Sequence, residues 1–332
     1  MTFVQFLEKN TRTINRPIIK LYKTLNNSKI FRYIKTSTGN YKMHKFIESH
    51  EVKYVKIRTR EDYTDFQTES QDIINYAKKF GDSLRHAKNG RTIPGFCMAC
   101  GSNTRFHGTM LPMYSKDPIL SETLWCKKCG SANRTRALFY VLYKEFPNKK
   151  NLNLYTAEQV TPFYKQLEAS YGFYNTVIGS EYLDCNYESG TIHKGIRHED
   201  AMNLSFLNNS LDAVISNHVY EHVTDIDKTL KEAYRVLKTG GKVIAGIPFD
   251  INRDKTLVRA KIENNKIIYL AEKEIHGNPL DKDGCLCYYT YGWDLFEKFK
   301  NAGFKDTYFI NILDKNLGNI VDYPVATFVA IK

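Results

Sequence analysis

The sequence predicts an α/β protein whose parallel sheet follows two smaller N-terminal regions. From about residue 151, short apolar segments of strand length alternate with segments of helix length, which is the pattern of a parallel sheet covered by helices. Two Cys-x-x-Cys pairs lie between residues 97 and 129, and most of the positive charge precedes residue 60. We therefore predict a basic, mostly helical region over residues 1–90, a cysteine module with a connecting helix over 91–150, and the α/β domain over 151–332.

The composition is that of a globular protein. Apolar residues make up 42% of the chain and aromatic residues 13%, which is enough to bury a core and argues against general disorder. No apolar run approaches the roughly 18 residues that a membrane span requires, and no signal-peptide pattern is found. We therefore expect a cytoplasmic protein.

The N-terminal 60 residues are strongly basic. They contain fourteen Lys or Arg residues and three acidic residues, which gives +11 of the total charge of +12. Apolar residues are interleaved with these charges, and Ile14, Ile18 and Ile19 indicate one amphipathic helix. Such a segment suits contact with phosphates, anionic lipid or an acidic partner. A solvated or packed helical arm with no specific target is the alternative interpretation.

Four of the seven cysteines form two Cys-x-x-Cys pairs separated by twenty-five residues: Cys97, Cys100, Cys126 and Cys129. Zinc prefers four soft ligands at tetrahedral angles, and each pair presents two sulfurs to one ion. A glycine after each pair, Gly101 or Gly130, lets the backbone turn so that its N–H groups point at the thiolates. Because the protein supplies all four ligands, we predict a structural Zn²⁺ rather than a catalytic one. Four unrelated buried cysteines are the alternative.

The remaining elements follow from apolar periodicity and from turn residues. Before the α/β domain we predict a helix that ends at Phe80, before Gly81, and a second helix at 133–146. In the α/β domain we predict strands at residues 152–155, 175–179, 211–216, 242–247, 304–310 and 325–331 and helices at 162–170, 226–237 and 292–302. A long polar excursion separates Pro248 from about Tyr289.

Most of the functional information lies in residues 198–241. They contain Asp200-Ala201, Leu204-Ser205-Phe206, Ser210-Leu211-Asp212, Glu221-His222 and Arg235-Val236-Leu237-Lys238-Thr239-Gly240-Gly241. This series resembles the type-11 branch of the class I S-adenosylmethionine-dependent methyltransferases, and the resemblance covers about residues 151–332. It implies a Rossmann-like sheet of seven strands, preceded here by the zinc module and the basic helical region. It also implies S-adenosylmethionine as cofactor.

The resemblance assigns cofactor contacts to particular residues. Asp200, after the presumed third strand, and the Ala201 N–H are expected at the adenine. Glu181, after the strand at 175–179, is expected to accept both ribose hydroxyls, for which a carboxylate is suited. Asn217, after the strand at 211–216, is expected on the same edge, because ligand sites form at the carboxyl ends of parallel strands.

The loop after the first strand departs from the family. The usual acidic residue and Gly-x-Gly-x-Gly turn are replaced by Leu-Asn-Leu-Tyr-Thr-Ala-Glu-Gln-Val from Leu152. Thr156-Ala157-Glu158 resembles a subset of the branch that is linked to surface-polysaccharide synthesis and also carries paired cysteines. We expect Ala157 to replace a glycine and Glu158 to hold the cofactor's ammonium group. The segments His276-Gly277-Asn278-Pro279 and Asn133-Arg134-Thr135-Arg136-Ala137 also resemble that subset.

Three histidines are candidates for a general base. Methyl transfer from a sulfonium is an in-line displacement that depends on alignment, and a hydroxyl acceptor also needs a base. His218 follows the strand at 211–216, His222 lies one helical turn further, and His276 lies on the long excursion. A structural role is the alternative for each, and for His222 in particular, since the Glu-His pair is common in the branch.

These observations favour O-methylation of a sugar or glycan intermediate in cell-surface polysaccharide synthesis. Two alternatives remain open, an RNA methyltransferase that uses the zinc module and the basic arm, and a methyltransferase-like binding protein without activity. Because acceptors of such polysaccharide enzymes lie near the inner membrane, we expect the arm to associate weakly with anionic membrane or with a membrane-bound glycosyltransferase. Nucleic acid is the alternative partner.

Overall fold

The computed structural model of the chain describes residues 42–111, 115–147, 150–172 and 174–332. The amphipathic helix predicted around residues 14–22 lies outside these ranges, as does most of the basic segment. Within the described ranges, no helix is both long enough and apolar enough to cross a membrane.

The described N-terminal segment contains three helices. Residues 42–49 form the first, and α1 (Arg60–Glu69) and α2 (Gln71–Arg85) follow. Thr59 caps α1, because its hydroxyl accepts the Asp62 N–H while the Asp62 carboxylate accepts the Thr59 N–H. This reciprocal pair satisfies two backbone donors that the helix leaves unpaired at its start.

Helix α2 continues past Gly81, so the predicted helix end at this glycine is wrong. The buried face of α2 extends from Ile74 to Leu84, with apolar residues on both sides of the glycine. A Cβ at Gly81 would lie 3.3 Å from Pro118 Cγ. The glycine therefore allows a close approach between two segments and does not end the helix.

Between α1 and the preceding helix, an extended stretch pairs with the edge of the central sheet. The N–H of Ile57 donates to the carbonyl oxygen of Phe309 at 3.0 Å, and the Phe309 N–H donates to Ile57 at 2.9 Å. Ile57 is fully buried. The N-terminal segment thus contributes to the same core as the sheet.

The cysteine module is a small antiparallel sheet of β1 (Arg91–Cys97), β2 (Ser102–Gly108) and β3 (Leu124–Cys126) in that order. The short helix α3 (Leu120–Thr123) precedes β3. Helix α4 (Asn133–Glu145) follows, close to its predicted position, and every residue from Thr135 to Tyr143 is buried. A helix that is buried on all its faces lies between two layers.

Arg136 on α4 fixes the module to the C-terminal part of the chain. This arginine is fully buried. Its guanidinium donates at 2.7–3.3 Å to four carbonyl oxygens, two in the module and two in a loop near the C-terminus: Leu124, Ser131, Leu317 and Gly318. Burial lowers the pKa of Arg136 to about 10. The planar fork satisfies carbonyl groups that would otherwise be buried without partners.

The α/β domain contains every strand and helix that the sequence predicts for it. In chain order it has β4 (Asn153–Thr156), α5 (Pro162–Tyr171), β5 (Thr176–Gly179), β6 (Ile192–His193), β7 (Ile196–Arg197), β8 (Leu211–Asn217), α6 (Ile226–Val236) and β9 (Leu237–Gly246). The excursion adds β10 (Leu257–Val258), β11 (Ala260–Glu263), β12 (Lys266–Tyr269), β13 (Ile275–Asn278), β14 (Asp281–Leu286) and β15 (Tyr289–Thr290). The chain ends with α7 (Leu295–Asn301), β16 (Asp306–Ile310) and β17 (Thr327–Ile331).

The central sheet has six strands in the order β16-β17-β9-β8-β4-β5. Strands β5, β4, β8 and β9 are parallel, and β17 and β16 pair antiparallel at the other edge. The resemblance predicts seven strands, and in the described residues the seventh position is reduced to one parallel bridge between Glu181 and His198. The adjacent residues 192–197 pair with each other in the β6–β7 hairpin, which leaves them unable to extend this edge.

The excursion folds back onto the carboxyl edge of the sheet. It consists of the hairpins β11–β12 and β13–β14, closed by pairing of β10 with β15. The Tyr288 N–H donates to the Glu221 carbonyl at 2.7 Å, and the Tyr291 hydroxyl donates to the Tyr220 carbonyl at 2.6 Å. The excursion therefore packs against the 3₁₀ turn Tyr220–His222, which follows β8. Its hairpins were not predicted from the sequence.

Replacing Arg136 should destabilise the whole chain. A lysine at this position would offer a single ammonium in place of a planar fork, so Arg136→Lys leaves buried carbonyls unpaired and should lower the free energy of unfolding by roughly 2–4 kcal/mol. The matched control is Arg105→Lys, an exposed arginine of β2, for which we expect a change below about 0.5 kcal/mol. Urea unfolding measures both values, and equal effects would show that Arg136 does not join the two parts.

Candidate active site

The structure brings the two cysteine pairs together. The Cys97 and Cys129 sulfurs are 3.7 Å apart, those of Cys100 and Cys126 are 4.0 Å apart, and all four sulfurs lie within 4.8 Å of one another. Tetrahedral zinc with bonds of about 2.3 Å to sulfur requires sulfurs roughly 3.8 Å apart. The cluster is therefore compatible with Zn²⁺ in both ligand type and spacing.

The backbone around the cluster turns as predicted, but a different N–H group contacts sulfur. Gly101 and Gly130 adopt positive φ values of 59° and 75°. Their N–H groups donate to the carbonyl oxygens of Cys97 and Cys126, because each closes a turn. The Lys128 N–H is the group that lies 3.4 Å from the Cys126 sulfur.

Polar side chains gather at the carboxyl ends of β4 and β8. Arg134 of α4 contacts both Glu122 oxygens of the cysteine module at 2.8 Å and the Asn217 side-chain oxygen, at the end of β8, at 2.5 Å. Ala157 and Glu158 follow β4 directly, and the Ala157 N–H donates to a carbonyl of β8 at 3.3 Å. The cysteine module thus provides a cation at the open edge of the sheet through α4.

Glu158 is a buried acid at this edge. One of its oxygens accepts the Thr161 hydroxyl at 2.6 Å, and the other, which lies near the Asn217 amide, has no hydrogen-bond partner of normal geometry in the described residues. Burial raises the pKa of Glu158 to about 7, against the opposing effect of Thr161 and Arg134. A buried acid with an unpaired oxygen is suited to a cationic ligand, because a nearby positive charge would favour the ionised carboxylate again.

Glu181 and Asp200 lie on adjacent segments beyond β5. One Glu181 oxygen accepts the N–H groups of Gln159 and Val160 at 2.7 and 2.9 Å, so this acid also fixes the loop after β4. Asp200, with Ala201 beside it and half-buried, follows the bridge to Glu181 and lines a cleft of about 440 Å³. Asp200 and Glu181, which are predicted to contact the adenine and the ribose, therefore lie near each other beyond β5.

Several buried polar atoms at this edge lack hydrogen-bond partners in the described residues. They belong to residues at the ends of β4 and β8 or in the segments that follow: Thr156, Glu158, Ser216, Tyr220 and Glu221. Unpaired buried polar groups are costly and rare in folded proteins. Their concentration here is the arrangement expected of a site that is completed by a bound polar molecule.

A second group surrounds the carboxylate of Glu221. This side chain is 1% exposed, and neither oxygen has a hydrogen-bond partner in the described residues. Its Oε1 atom lies 3.5 Å from His218 Nδ1, 3.8 Å from His222 Nε2 and 3.5 Å from His276 Nδ1. The three histidines predicted from the sequence therefore all lie within 4 Å of one Glu221 oxygen.

The three imidazoles differ in charge. Burial, together with the positive charge of Arg134, holds the pKa of His218 well below its usual value. Burial opposes the charge of His222 as well, but contacts with Cys285 and Cys287 outweigh it and raise the pKa to about 10. Contacts of His276 with Cys287, Glu221 and Glu274 raise its pKa to about 12. His218 is thus the neutral member of the group.

His218 also has an unusual backbone. Its φ of 59° lies in the left-handed region, which is strained for most residues other than glycine and is common at functional sites. The His218 N–H donates to the Gly246 carbonyl at the end of β9 at 2.9 Å. The neighbouring strand therefore holds His218 at the carboxyl edge.

Part of the chain is similar to known methyltransferases. Residues 169–245 match the Methyltransf_11 family, described as a methyltransferase domain. An S-adenosylmethionine-dependent methyltransferase from Mesorhizobium loti is 13% identical over 59% of this chain and 98% of its own, with a TM-score of 0.39. A putative one from Listeria monocytogenes is 11% identical over the same shares, with a TM-score of 0.37. Phosphoethanolamine N-methyltransferase 2 of Haemonchus contortus, solved with S-adenosyl-L-methionine, is 20% identical over 53% of this chain and 38% of its own, with a TM-score of 0.33. No curated protein matches significantly.

The chain is an S-adenosylmethionine-dependent methyltransferase. The family match covers β5, β8, α6 and most of β9, which includes Glu181, Asp200 and the Glu221-His222 pair. It confirms the enzyme class that the sequence predicts. The fold is the α/β methyltransferase fold with a mixed central sheet, and its substrate must be a methyl acceptor.

Sequence reasoning missed the positions of three residues near this edge. The sequence shows Glu221 as part of a family pattern and not as the centre of the histidines. It shows Arg134 only within the segment Asn133-Arg134-Thr135-Arg136-Ala137, and Cys287 as one of the three cysteines outside the two pairs. The Arg-x-Arg spacing on a helix was a usable signal for Arg134. Nothing in the sequence indicates that Cys287 folds back onto His222, because the excursion hairpins set this contact.

Proposed function

We propose that this methyltransferase transfers a methyl group from S-adenosylmethionine to a hydroxyl of a sugar or glycan intermediate in cell-surface polysaccharide synthesis. The observation that carries the proposal is the neutral His218 beside the buried carboxylate of Glu221. A hydroxyl is a poor nucleophile until a base removes its proton, whereas amine and thiol acceptors need less help. The sequence resemblance to the polysaccharide-linked subset supports a sugar as the acceptor.

The cofactor site of the proposal runs along the carboxyl edge. Asp200 and Ala201 would bind the adenine and Glu181 the ribose, while Ala157 gives the backbone room beside the methionine portion. Glu158 would bind the ammonium group and Arg134, next to Asn217, the carboxylate, since each of these side chains offers the opposite charge. When bound, S-adenosylmethionine supplies a methyl group activated by a sulfonium.

His218 would act as the general base. Glu221 faces Nδ1 of His218, which favours the tautomer with its proton on that atom and leaves Nε2 to accept. The acceptor hydroxyl oxygen would take the methyl group that S-adenosylmethionine supplies, and the electron pair of the broken carbon–sulfur bond would stay on the sulfur. The hydroxyl proton passes to His218 Nε2. His222 and His276, which lie near the same Glu221 carboxylate, would be adjacent to the acceptor.

We assign a structural role to zinc at Cys97, Cys100, Cys126 and Cys129. The sulfur spacing supports this assignment, and the four protein ligands leave no open position. Because α3 and α4 adjoin the cluster, a bound ion would fix Glu122 and therefore Arg134. The metal would thus support the cofactor site without taking part in the chemistry.

We also propose that the basic N-terminal arm associates weakly with anionic membrane or with a membrane-bound glycosyltransferase, at the inner face of the membrane. The described part of the basic segment already has partners for two of its arginines: Arg58 pairs with Asp306 and Arg60 with Asp254. The larger share of the charge, eight Lys or Arg residues against one Glu, lies in residues 1–41. These residues, with their apolar neighbours, are the ones to test.

The cofactor assignment predicts a pH dependence of S-adenosylmethionine affinity. The free Glu158 has a raised pKa of about 7, and the charged groups that face it are Arg134 and Glu181. Binding an ammonium group requires the carboxylate, so affinity should fall roughly fivefold to tenfold from pH 7.5 to pH 6. Calorimetry on wild type and Glu158→Gln separates this effect from titration of the ligand. Identical pH profiles of the two proteins would contradict the role of Glu158.

The base assignment predicts that His218→Gln lowers methyl transfer by about 10²–10⁴-fold and leaves S-adenosylmethionine affinity unchanged. Mass spectrometry of glycan extracts from cells that make wild type, His218→Gln or no protein measures the added methyl. His193→Gln is the matched control, since this imidazole stacks on Tyr187 outside the histidine group. Methyl on RNA with unmodified glycans would overturn the proposed acceptor.

The arm proposal predicts sedimentation with vesicles. At low salt the full-length protein should pellet with vesicles containing anionic lipid and stay in solution with neutral ones. A full-length variant with the Lys and Arg residues of residues 1–41 changed to Gln should stay in solution with both. If wild type does not pellet with anionic vesicles, the arm does not bind lipid.

A further inference from the structure

A second group of metal-ligating side chains lies away from the paired cysteines. One ring nitrogen of His222, one of His276 and the sulfur of Cys287 lie within 4.8 Å of one another. Cys287 is 1% exposed and its sulfur is 3.9 Å from His222 Nδ1. Imidazole and thiolate are the ligands that Zn²⁺ and similar borderline-soft ions prefer, and Mg²⁺ does not prefer them.

The outer contacts of both imidazoles are those of metal-bound histidines. His222 Nδ1 lies 2.9 Å from the Leu286 carbonyl oxygen, and His276 Nε2 lies 3.0 Å from a Glu274 carboxylate oxygen. A ligating histidine usually donates its other N–H to a backbone carbonyl or a carboxylate, which orients the ring. The other nitrogens, His222 Nε2 and His276 Nδ1, lie 3.8 and 3.5 Å from Glu221 Oε1. The 3.9 Å contact of the Cys287 sulfur is with His222 Nδ1, so an ion shared by all three side chains requires a small rotation of the His222 ring or of the Cys287 side chain.

The carboxylate of Glu221 lies beside the same two imidazoles. It is almost completely buried, and both oxygens lack hydrogen-bond partners in the described residues. A buried carboxylate needs a compensating positive charge. Either the protonated rings of His222 and His276 or a bound cation supplies it, and a bound ion requires both rings to be neutral. The carboxylate lies 3.5 Å from His276 Nδ1 and 3.8 Å from His222 Nε2. A cation that bound beside this carboxylate would therefore also contact the two imidazoles.

We propose that His222, His276 and Cys287 bind one Zn²⁺-class ion, with Glu221 next to it as the compensating charge. Three protein ligands leave a fourth position open, as in catalytic zinc sites and unlike the four-cysteine cluster. The ligands come from the turn after β8 and from the excursion, so the ion also ties the excursion to the carboxyl edge.

The metal site deepens the proposed function, and the catalytic role of the ion rests on that proposed function. His218 lies 3.5 Å from the same Glu221 carboxylate, so an acceptor hydroxyl bound at the open position would have its pKa lowered by the ion before His218 removes the proton. His222 and His276 then serve as ligands, and His218 alone remains the base. The occupant of the open position is an oxygen donor, either water or the acceptor hydroxyl.

Equilibrium dialysis of the full-length protein against low-micromolar Zn²⁺ tests the site, with metal analysis of the protein compartment. Wild type should hold about two ions per chain, one in each cluster. His276→Gln and Cys287→Ser should each hold about one, with circular dichroism unchanged. The matched controls His193→Gln and Cys185→Ser, which lie outside both clusters, should still hold about two.

A wild type that holds about one ion, or variants that hold as much as the controls, would overturn the proposal. Dialysis against Co²⁺ gives a second readout, since every bound thiolate contributes to the thiolate-to-metal absorption. The four-cysteine cluster should give most of this absorption, Cys287→Ser should lower it by a small part, and Cys185→Ser should leave it unchanged. The number of bound ions and the identity of the methyl acceptor are measured independently. Two ions per chain without glycan methylation would refute the proposed function alone. Glycan methylation by a protein with one ion per chain would refute this inference alone.

Discussion

The buried guanidinium of Arg136 is the interaction on which the arrangement of the whole molecule depends. A buried arginine must find an acceptor for each of its donors, and here the acceptors belong to both the cysteine module and the loop at Leu317–Gly318. Helix α4 is thereby held between the two. Arg134, two residues earlier on the same helix, is directed to Asn217 at the end of β8. A structural contact thus positions a cation at the active site.

The loop after β4 illustrates how the site manages without a glycine-rich turn. In related folds glycines allow the backbone to approach the cofactor closely. Here Glu181 accepts two N–H groups of the loop, which fixes its path, and Glu158 and Arg134 place opposite charges beside it. In the proposed cofactor site, side-chain electrostatics would replace part of what backbone proximity does elsewhere. Burial of Glu158 beside this loop raises its pKa to about 7.

The sequence predicted what depends on local pattern and missed what depends on tertiary contact. Strands β4, β5 and β8 and helix α6 were found within a few residues because apolar periodicity marks them. The cysteine cluster followed from spacing alone. In the described part of the chain the sheet has six strands, and residues 192–197 form their own hairpin. Gly81 lies inside α2, in close contact with Pro118. The grouping of His222, His276 and Cys287 depends on the fold of the excursion, which no local pattern encodes.

The central claim is that the carboxyl edge binds S-adenosylmethionine through acids placed by three different segments. Isothermal titration of the full-length protein with S-adenosylmethionine tests it most directly. Wild type should show one saturable site, and Asp200→Ala and Glu181→Ala should each weaken it by about 1–3 kcal/mol, since a buried donor of the ligand loses its partner. Absence of binding by wild type, or unaltered affinity in both variants, would contradict the account.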